Sequence, residues 1–231
     1  MTKVFYREID DSNRGDHTRL TANDKCMFLY EFTAFEHTNG LGFKFSDTNQ
    51  LIHNLKKKPS ERLTKGGWKY KGEAIGKCAG AMRLALNPEW LTSGTLVPVP
   101  SSKAPGHPDY DDRLTQIARL LSVPPPDVRE LVRHDSSHAA AHESNNRPTV
   151  EDLLAIYEIN EPLASSKPVS SIAIFDDVLT AGTHYRAVQI KLAARFPNVP
   201  IFGMFIARRA IPPPSDGWVK QMQELFGSVD D

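Results

Sequence analysis

Short apolar runs alternate with helical patterns along the last two thirds of the chain, and this alternation is the strongest constraint on the fold. Apolar runs typical of buried strands lie at 95–99, 171–177 and 199–210. Amphipathic patterns typical of helices lie at 71–88, 110–121 and 184–197. Strands that alternate with helices predict an α/β fold with a mostly parallel central sheet flanked by helices.

The N-terminal third is less regular. We predict a helix over 21–35, capped by Thr21 or Asn23, and a short strand and turn over 40–50. The apolar pattern at 217–227 predicts a C-terminal helix. We therefore divide the chain into an irregular hood or helical segment at 1–90, packed on an α/β core at 91–231.

Composition excludes some classes of protein. The 231 residues carry 28 Lys and Arg against 28 Asp and Glu, so the chain lacks the net positive charge of a general nucleic-acid binder. Cys26 and Cys78 form no C-x-x-C pair, which disfavours a cysteine zinc site and fits free thiols in a reducing cytosol. No apolar run reaches membrane-spanning length, and no signal-peptide pattern opens the chain, so we expect a cytoplasmic protein.

Two adjacent acids, Asp176 and Asp177, follow the clearest strand pattern, "SIAIF". Two carboxylates side by side repel each other, and both resist burial. We therefore expect a ligand outside the strand end that binds them. Paired carboxylates can accept hydrogen bonds from vicinal hydroxyls or hold a hydrated Mg²⁺.

The turn "TAGTH", Thr180–His184, leads from this strand into the next helix. Gly182 lets a ligand approach the backbone, and the amides at a helix N-terminus attract a phosphate. The hydroxyls of Thr180 and Thr183 can add hydrogen bonds, while Tyr185 and Arg186 are predicted to lie on the exposed side of the helix. A phosphate near a diol describes a ribose 5-phosphate.

The stretch "IAIFDDVLTAGT" resembles the phosphoribosyl-pyrophosphate (PRPP) loop of type I phosphoribosyltransferases. The resemblance implies that Asp176 and Asp177 bind the ribose hydroxyls and, through ligand or water, Mg²⁺. It implies that Thr180, Ala181, Gly182 and Thr183 bind the 5-phosphate. His184 stands where a Ser or Thr is usual, so one hydroxyl contact is either lost or replaced by an imidazole donor.

Further segments resemble the competence protein F, or amidophosphoribosyltransferase-like, branch of that superfamily. "LVPVPSSK" is similar to its diphosphate loop, which implies that Ser101, Ser102 and Lys103 bind the diphosphate. Arg113 and Gln116 echo the "RGFNQ" helix of that branch, reduced here to "DDRLTQ". The branch often begins with a cysteine zinc finger, which this chain lacks.

Arg133 and Arg147 flank a polar segment that stands where this branch has a flexible, arginine-containing loop. We consider either arginine a candidate to close over the diphosphate and an equal candidate for the ordinary surface. His134, His138 and His142 recur at helical spacing, but no acid or thiol completes a metal-ligand set, so a metal site there is disfavoured.

The resemblance implies Mg²⁺-dependent transfer of a phosphoribosyl group to a base or amine, with release of pyrophosphate. Because no apolar run reaches membrane-spanning length, we expect no membrane partner. One alternative is a binding-only sensor of PRPP or a related nucleotide on the same fold. A second is a DNA-associated accessory protein that uses the basic segment, with Trp68 and Tyr70 available for stacking. The cations of this basic segment are Lys56–Lys58, Arg62, Lys65 and Lys69.

A homodimer is also implied by the resemblance.

Overall fold

A six-stranded sheet forms the centre of the computed structural model, which describes residues 4–134 and 147–212. The order across the sheet is β1-β2-β8-β7-β3-β4. Only β1 and β2 pair antiparallel, and every other neighbouring pair is parallel. The strands are β1 (Arg7–Glu8), β2 (Cys26–Thr33), β3 (Thr95–Pro98), β4 (Asp127–Val128), β7 (Ile172–Leu179) and β8 (Ile201–Ala210).

A separate two-stranded sheet pairs β5 (Val132–His134) with β6 (Tyr157–Ile159) in antiparallel fashion. The α-helices are α1 (Asp47–Leu55), α2 (Lys69–Ala85), α3 (Pro88–Ser93), α4 (Arg113–Arg119), α5 (Val150–Ile156), α6 (Glu161–Ala164) and α7 (Thr183–Arg195). The predicted α/β architecture, with a mostly parallel sheet flanked by helices, is confirmed.

The strand order of the sheet reverses between β3 and β7. These two strands are neighbours, but β4 follows β3 on one side while β8 follows β7 on the other. In parallel sheets the connections that leave such a pair of strands separate and open a crevice at the carboxyl ends. The loops after Pro98 and Leu179 therefore border the expected ligand crevice.

The prediction of a helix over 21–35 is wrong, because this segment contains β2. Cys26 and Phe28 are buried where β2 pairs with β8, and burial on the sheet outweighs the local capping signal. The amide and hydroxyl of Thr21 donate instead to the carboxylate of Asp24, at 2.6 and 2.8 Å. The N-terminal third thus contributes two strands to the central sheet.

The short strand predicted within 40–50 is also wrong. A 3₁₀ turn spans Gly42–Lys44, and α1 begins after Ser46, whose hydroxyl accepts a hydrogen bond from the amide of Asn49 at 3.1 Å. A serine that caps a following polar first turn favours a helix start over a strand. The other helices and strands predicted within the described residues are present, with α2 ending at Ala85, before Pro88.

Two predictions lie outside the described residues: the C-terminal helix at 217–227 and most of the polar segment after His134, with His138 and His142. Within residues 4–134 and 147–212, no helix combines the length and apolar character needed to cross a membrane.

Candidate functional site

A cavity of about 500 Å³, which we call the main cavity, lies at the carboxyl ends of β3 and β7. It brings together most of the predicted site residues from two distant parts of the sequence. Ala181, Arg133 and Arg147 are not among its lining residues. The predicted residues that line it are Ser101, Ser102, Lys103, Asp176, Asp177, Thr180, Gly182, Thr183 and His184.

The two acids lie within β7 rather than after it, since the strand continues to Leu179. Successive side chains of a strand point to opposite faces of the sheet, so Asp176 and Asp177 have different neighbours. Asp176 is half-buried and Asp177 is buried. The amide of Asp177 donates to Oδ1 of Asp176 at 2.8 Å. The structure thus separates two residues to which the sequence assigned one role.

Asp177 is held by two cations. Nε and Nη2 of Arg113 donate to its Oδ2 at 2.9 and 2.6 Å, and Nζ of Lys56 lies 2.9 Å from its Oδ1. Burial would raise the pKa of Asp177, but Lys56 and Arg113 outweigh it and hold that pKa well below its usual range. Asp177 is therefore ionised and charge-compensated by the protein itself.

A second carboxylate extends these ion pairs into the protein. Asp111 accepts a hydrogen bond from Nη1 of Arg113 at 2.8 Å and pairs with Nζ of Lys71 at 2.7 Å. Lys71 is only 5% exposed and also donates to the carbonyl oxygens of Leu55 and Lys57 at 2.6 and 2.9 Å. This network fixes the end of α1 against α2 and positions Arg113 at the cavity.

Asp176 has the opposite electrostatic environment. Burial and the neighbouring charge of Asp177 raise the pKa of its carboxyl to about 7. Lys56 and Arg113 act in the other direction but do not outweigh these two effects. Near neutral pH the site therefore contains one ionised carboxylate and one carboxyl that is close to its midpoint of protonation.

The TAGTH turn is held from behind by an N-terminal segment. The ring of His17 lies with Nδ1 2.5 Å from the carbonyl oxygen of Thr180, and the amide of Arg19 donates to the carbonyl of Ala181 at 2.8 Å. Gly182 has φ of 89°, a left-handed conformation that favours glycine, immediately before α7. The first amides of α7 lack intrahelical acceptors and can donate to an anion in the main cavity.

His184 lies between the main cavity and a buried tyrosine. Its Nδ1 is 2.9 Å from the hydroxyl of Tyr157, which is 1% exposed. Burial lowers the pKa of His184 and raises that of Tyr157, so the ring is neutral and the hydroxyl retains its proton near pH 7. We infer that the hydroxyl donates to Nδ1, since it makes no other hydrogen bond to the described residues, and Nε2 then carries the ring proton.

The prediction that Tyr185 and Arg186 lie on the exposed side of α7 is wrong. Tyr185 is 1% exposed, and its ring packs edge-on against Phe205. Arg186 is half-buried, pairs with Asp24 and donates to the carbonyl of Arg19. Because β2 adds to the sheet beside β8, the N-terminal segment covers this side of α7.

The loop Ser101–Lys103, which we call the SSK loop, follows β3 into the main cavity. The hydroxyl of Ser101 already accepts hydrogen bonds from the amides of Lys103 and Asp111, at 3.4 and 3.3 Å. Lys103 and Ser102 line the cavity. The loop therefore places one cation and the hydroxyl of Ser102 beside the acids.

Neither candidate arginine lines the main cavity, although Arg133 lines a small neighbouring pocket with Ser101 and Lys103. Arg133 is exposed on β5, 3.9 Å from Glu158, and Arg147 is exposed before α5. His134 is partly buried and packs edge-on against Tyr157. Within the described parts of the chain, no three His, Cys, Asp or Glu side chains are grouped so as to hold a metal ion.

Sequence reasoning missed Lys56, Tyr157 and His17 as parts of the site. Lys56 was interpreted as part of a solvated basic loop, yet it reaches an acid 121 positions along the chain. Arg113 was noted only as an echo of a family helix, and that echo was the one sequence signal for its role. Lys56, Tyr157 and His17 belong to segments whose position relative to the main cavity was not predicted.

No family model matches the chain, and no curated protein is similar to it.

Proposed function

We propose that this chain is a phosphoribosyltransferase-like protein that binds PRPP in the main cavity. The observation that carries the proposal is the convergence of the SSK loop, the acid pair and the TAGTH turn at the point where the sheet changes direction. The acid pair and the turn were assigned to a diol and a phosphate from their chemistry and from the resemblance, and the SSK loop was assigned to the diphosphate from the resemblance. Their meeting in a cavity of about 500 Å³ supports a single ligand that carries a phosphate, a diol and a diphosphate.

Each part of the PRPP molecule is bound by a different set of residues. The amides of the TAGTH turn and the hydroxyls of Thr180 and Thr183 bind the 5-phosphate at the start of α7. Asp176 accepts hydrogen bonds from the ribose hydroxyls. Lys103 neutralises part of the charge of the diphosphate, while Arg113 stays paired with Asp111 and Asp177. The proposed function requires the phosphoribosyltransferase-like form of the α/β core. The free buried thiols of Cys26 and Cys78 fit a cytoplasmic protein.

Mg²⁺ fits this donor set only as an ion that arrives with the diphosphate. Asp177 is already paired with Lys56 and Arg113, and Asp176 alone supplies too few oxygen ligands for a closed protein site. When bound, the ion would neutralise diphosphate charge. The acid pair would hold it through water or through the ribose hydroxyls.

In the transfer reaction the bond between C1 of the ribose and the diphosphate oxygen breaks, and the electron pair leaves with the diphosphate. A nitrogen lone pair of the acceptor forms the new bond to C1, and the acceptor proton passes to water. Lys103 stabilises the leaving charge, and the nearby carboxylates stabilise the developing positive charge at C1.

The test is calorimetric titration of PRPP, with and without Mg²⁺, into the wild-type chain and the variants Asp176→Asn and Asp177→Asn. We expect Mg²⁺-dependent binding that Asp176→Asn weakens at least tenfold, because the amide cannot replace a charged acceptor. Asp11→Asn, at an exposed acid remote from the cavity, is the matched control. Absence of wild-type binding at millimolar PRPP would disprove the proposal.

A binding-only sensor is the second candidate, and the ion pairs of Asp177 favour it. An acid already compensated by Lys56 and Arg113 contributes less negative charge at C1 than a free carboxylate. Release of pyrophosphate in the presence of an acceptor separates the two candidates. PRPP binding without release over a panel of bases and amines would favour the sensor.

A further inference from the structure

A second and larger cavity, of about 700 Å³, lies beside the main cavity and is not part of the predicted site. We call it the aromatic–lysine cavity. Phe32 and Thr33 line it at the carboxyl end of β2, and His53 lines it from α1. Because β2, β8 and β7 are parallel, this cavity opens at the same edge of the sheet as the acid pair. Lys56 and Lys58 line both cavities.

Aromatic rings dominate the walls of this cavity. Phe43 stacks on His53 with 4.6 Å between ring centroids and 21° between their planes. Phe35 is 69% exposed and Phe43 is 41% exposed, and Trp68 also lines the cavity. Clustered rings with free apolar faces are suited to a planar ligand, since stacking adds to the apolar area that binding removes from water.

The charged groups around these rings are mostly cations, and most of these have a side-chain or main-chain partner among the described residues, while the charge of Lys58 helps to lower the pKa of Asp109. Lys56 pairs with Asp177, and Lys65 pairs with Glu61 at 2.8 Å. Lys57 donates to the side chain of Asn54 at 2.6 Å. Lys58 is exposed and makes no ion pair within the described residues. Its ammonium, on the rim that the two cavities share, is suited to an anionic substituent of a ring.

From this arrangement we infer that the aromatic–lysine cavity binds the acceptor of the transfer, and that the acceptor is a planar ring with an acidic substituent. The ring lies among Phe35, Phe43 and Trp68, and its acid group binds Lys58. This inference rests on the proposed function, because it supplies the second substrate of the same reaction. The shared rim places the ring next to the ribose bound at Asp176.

The experiment uses pairs of compounds with similar rings and different charge: nicotinate against nicotinamide, and orotate against uracil. Each is titrated calorimetrically into the full chain, alone and in the presence of PRPP and Mg²⁺. We expect an acid to bind about tenfold more tightly than its uncharged partner, the effect of one charge-assisted contact. Binding should also quench the fluorescence of Trp68, assigned by its loss in Trp68→Phe.

Two lysine variants test the charge. Lys58→Gln should remove the preference for the acid, measured as the ratio of the affinities of the acid and its uncharged partner, so that any change in PRPP affinity at this shared rim cancels. Lys77→Gln changes an exposed lysine of α2 that does not line this cavity, and it should keep the preference. Acid-dependent release of pyrophosphate from PRPP would complete the case for an acceptor.

The outcomes separate this inference from the proposed function. PRPP binding without binding of any ring acid at millimolar concentration would overturn the acceptor site and leave the PRPP site. Equal affinity for acid and uncharged ring, or an unchanged preference in Lys58→Gln, would overturn the assigned class of acceptor. Binding of ring acids without any PRPP binding would overturn the proposed function and the acceptor role together.

Discussion

At the scale of single residues, Asp176 and Asp177 are chemically different although they are neighbours. Asp177 lies against Lys56 and Arg113, whereas the charge of Asp176 acts on the buried hydroxyl of Tyr157. A pair of identical acids thus gives one permanently ionised group and one that titrates near neutral pH. Ligand binding and stability should depend on pH through the second of them.

The first prediction concerns the free energy of unfolding between pH 4 and pH 7. The pKa of Asp176 is raised to about 7 in the folded chain, against about 3.9 in an unfolded one, so the folded state binds more protons in this range. Stability should therefore fall as pH rises, by up to about 4 kcal/mol from this group. Urea unfolding of the wild type and of Asp176→Asn measures the difference, and only the wild type should show this contribution.

Asp177 should affect the pH dependence of stability in the opposite direction to Asp176, because its pKa is lowered in the folded chain. Its stabilising contribution is present above the unfolded pKa and is lost as pH falls below it. It should be constant between pH 5 and pH 7, so it does not disturb the comparison. An identical pH slope in wild type and Asp176→Asn over this range would contradict the assigned pKa of Asp176.

The second prediction concerns the hydroxyl of Tyr157. Removing it in Tyr157→Phe leaves Nδ1 of His184 without its donor, so the ring proton is no longer held on Nε2. We expect a change in the ¹⁵N chemical shifts of the His184 ring and a loss of PRPP affinity of about fivefold, the effect of one neutral hydrogen bond. Tyr30→Phe is the control, and unchanged ring shifts in Tyr157→Phe would refute the tautomer.

At the scale of elements, the unit from β7 through the TAGTH turn into α7 positions the site. The strand ends at Leu179, Gly182 reverses the backbone, and α7 begins at Thr183. His17 and Arg19 bind the turn carbonyls from outside this unit. The turn carbonyls are therefore satisfied by the N-terminal segment, which leaves the amides available on the cavity side.

The third prediction tests the turn with Gly182→Ala. A φ of 89° is unfavourable for alanine by about 1–2 kcal/mol, and the new Cβ would lie 3.3 Å from Cδ2 of Leu20. We expect lower stability in urea unfolding and weaker PRPP binding. The matched control is Gly76→Ala in α2, where no atom lies within 4 Å of the added Cβ, and this change should stabilise by about 0.5–1 kcal/mol. Equal effects of the two substitutions would contradict the required turn geometry.

At the scale of the whole molecule, buried polar groups connect distant segments of the chain. Arg129 is 4% exposed and pairs with Asp127 at the edge of the sheet. Its guanidinium also donates to the carbonyls of Leu163, Lys167 and Pro168, at 3.3, 3.1 and 3.2 Å. One side chain thus holds the edge strand β4 against the segment that leads into β7.

The fourth prediction is that Arg129→Met destabilises the chain by about 3–5 kcal/mol, because it leaves a carboxylate and several carbonyls without their buried donor. Arg195→Met is the control, since Arg195 pairs with Glu161 at an exposed site and should cost below about 1 kcal/mol. Both free energies are measured by urea unfolding. A cost for Arg129→Met as small as that of the control would show that the buried network contributes little.

The sequence by itself determined the elements whose signals are local. The run "SIAIF", the small residues of "TAGTH" and the spacing of Val188 and Leu192 predict strand, turn and helix in order, because each depends on residues a few positions apart. The alternation of such units was enough to predict the α/β sheet and to place two loops at its carboxyl edge.

The tertiary structure decided what depends on residues distant in sequence. Residues 26–33 became a strand because β8 offers them a partner, an effect that no capping signal records. Lys56 and Arg113 bind one acid of a pair because the end of α1 and the start of α4 meet at Asp177, and the sequence treats both acids alike. Burial, pKa values and the second cavity all follow from which surfaces meet, and a linear sequence does not state those contacts.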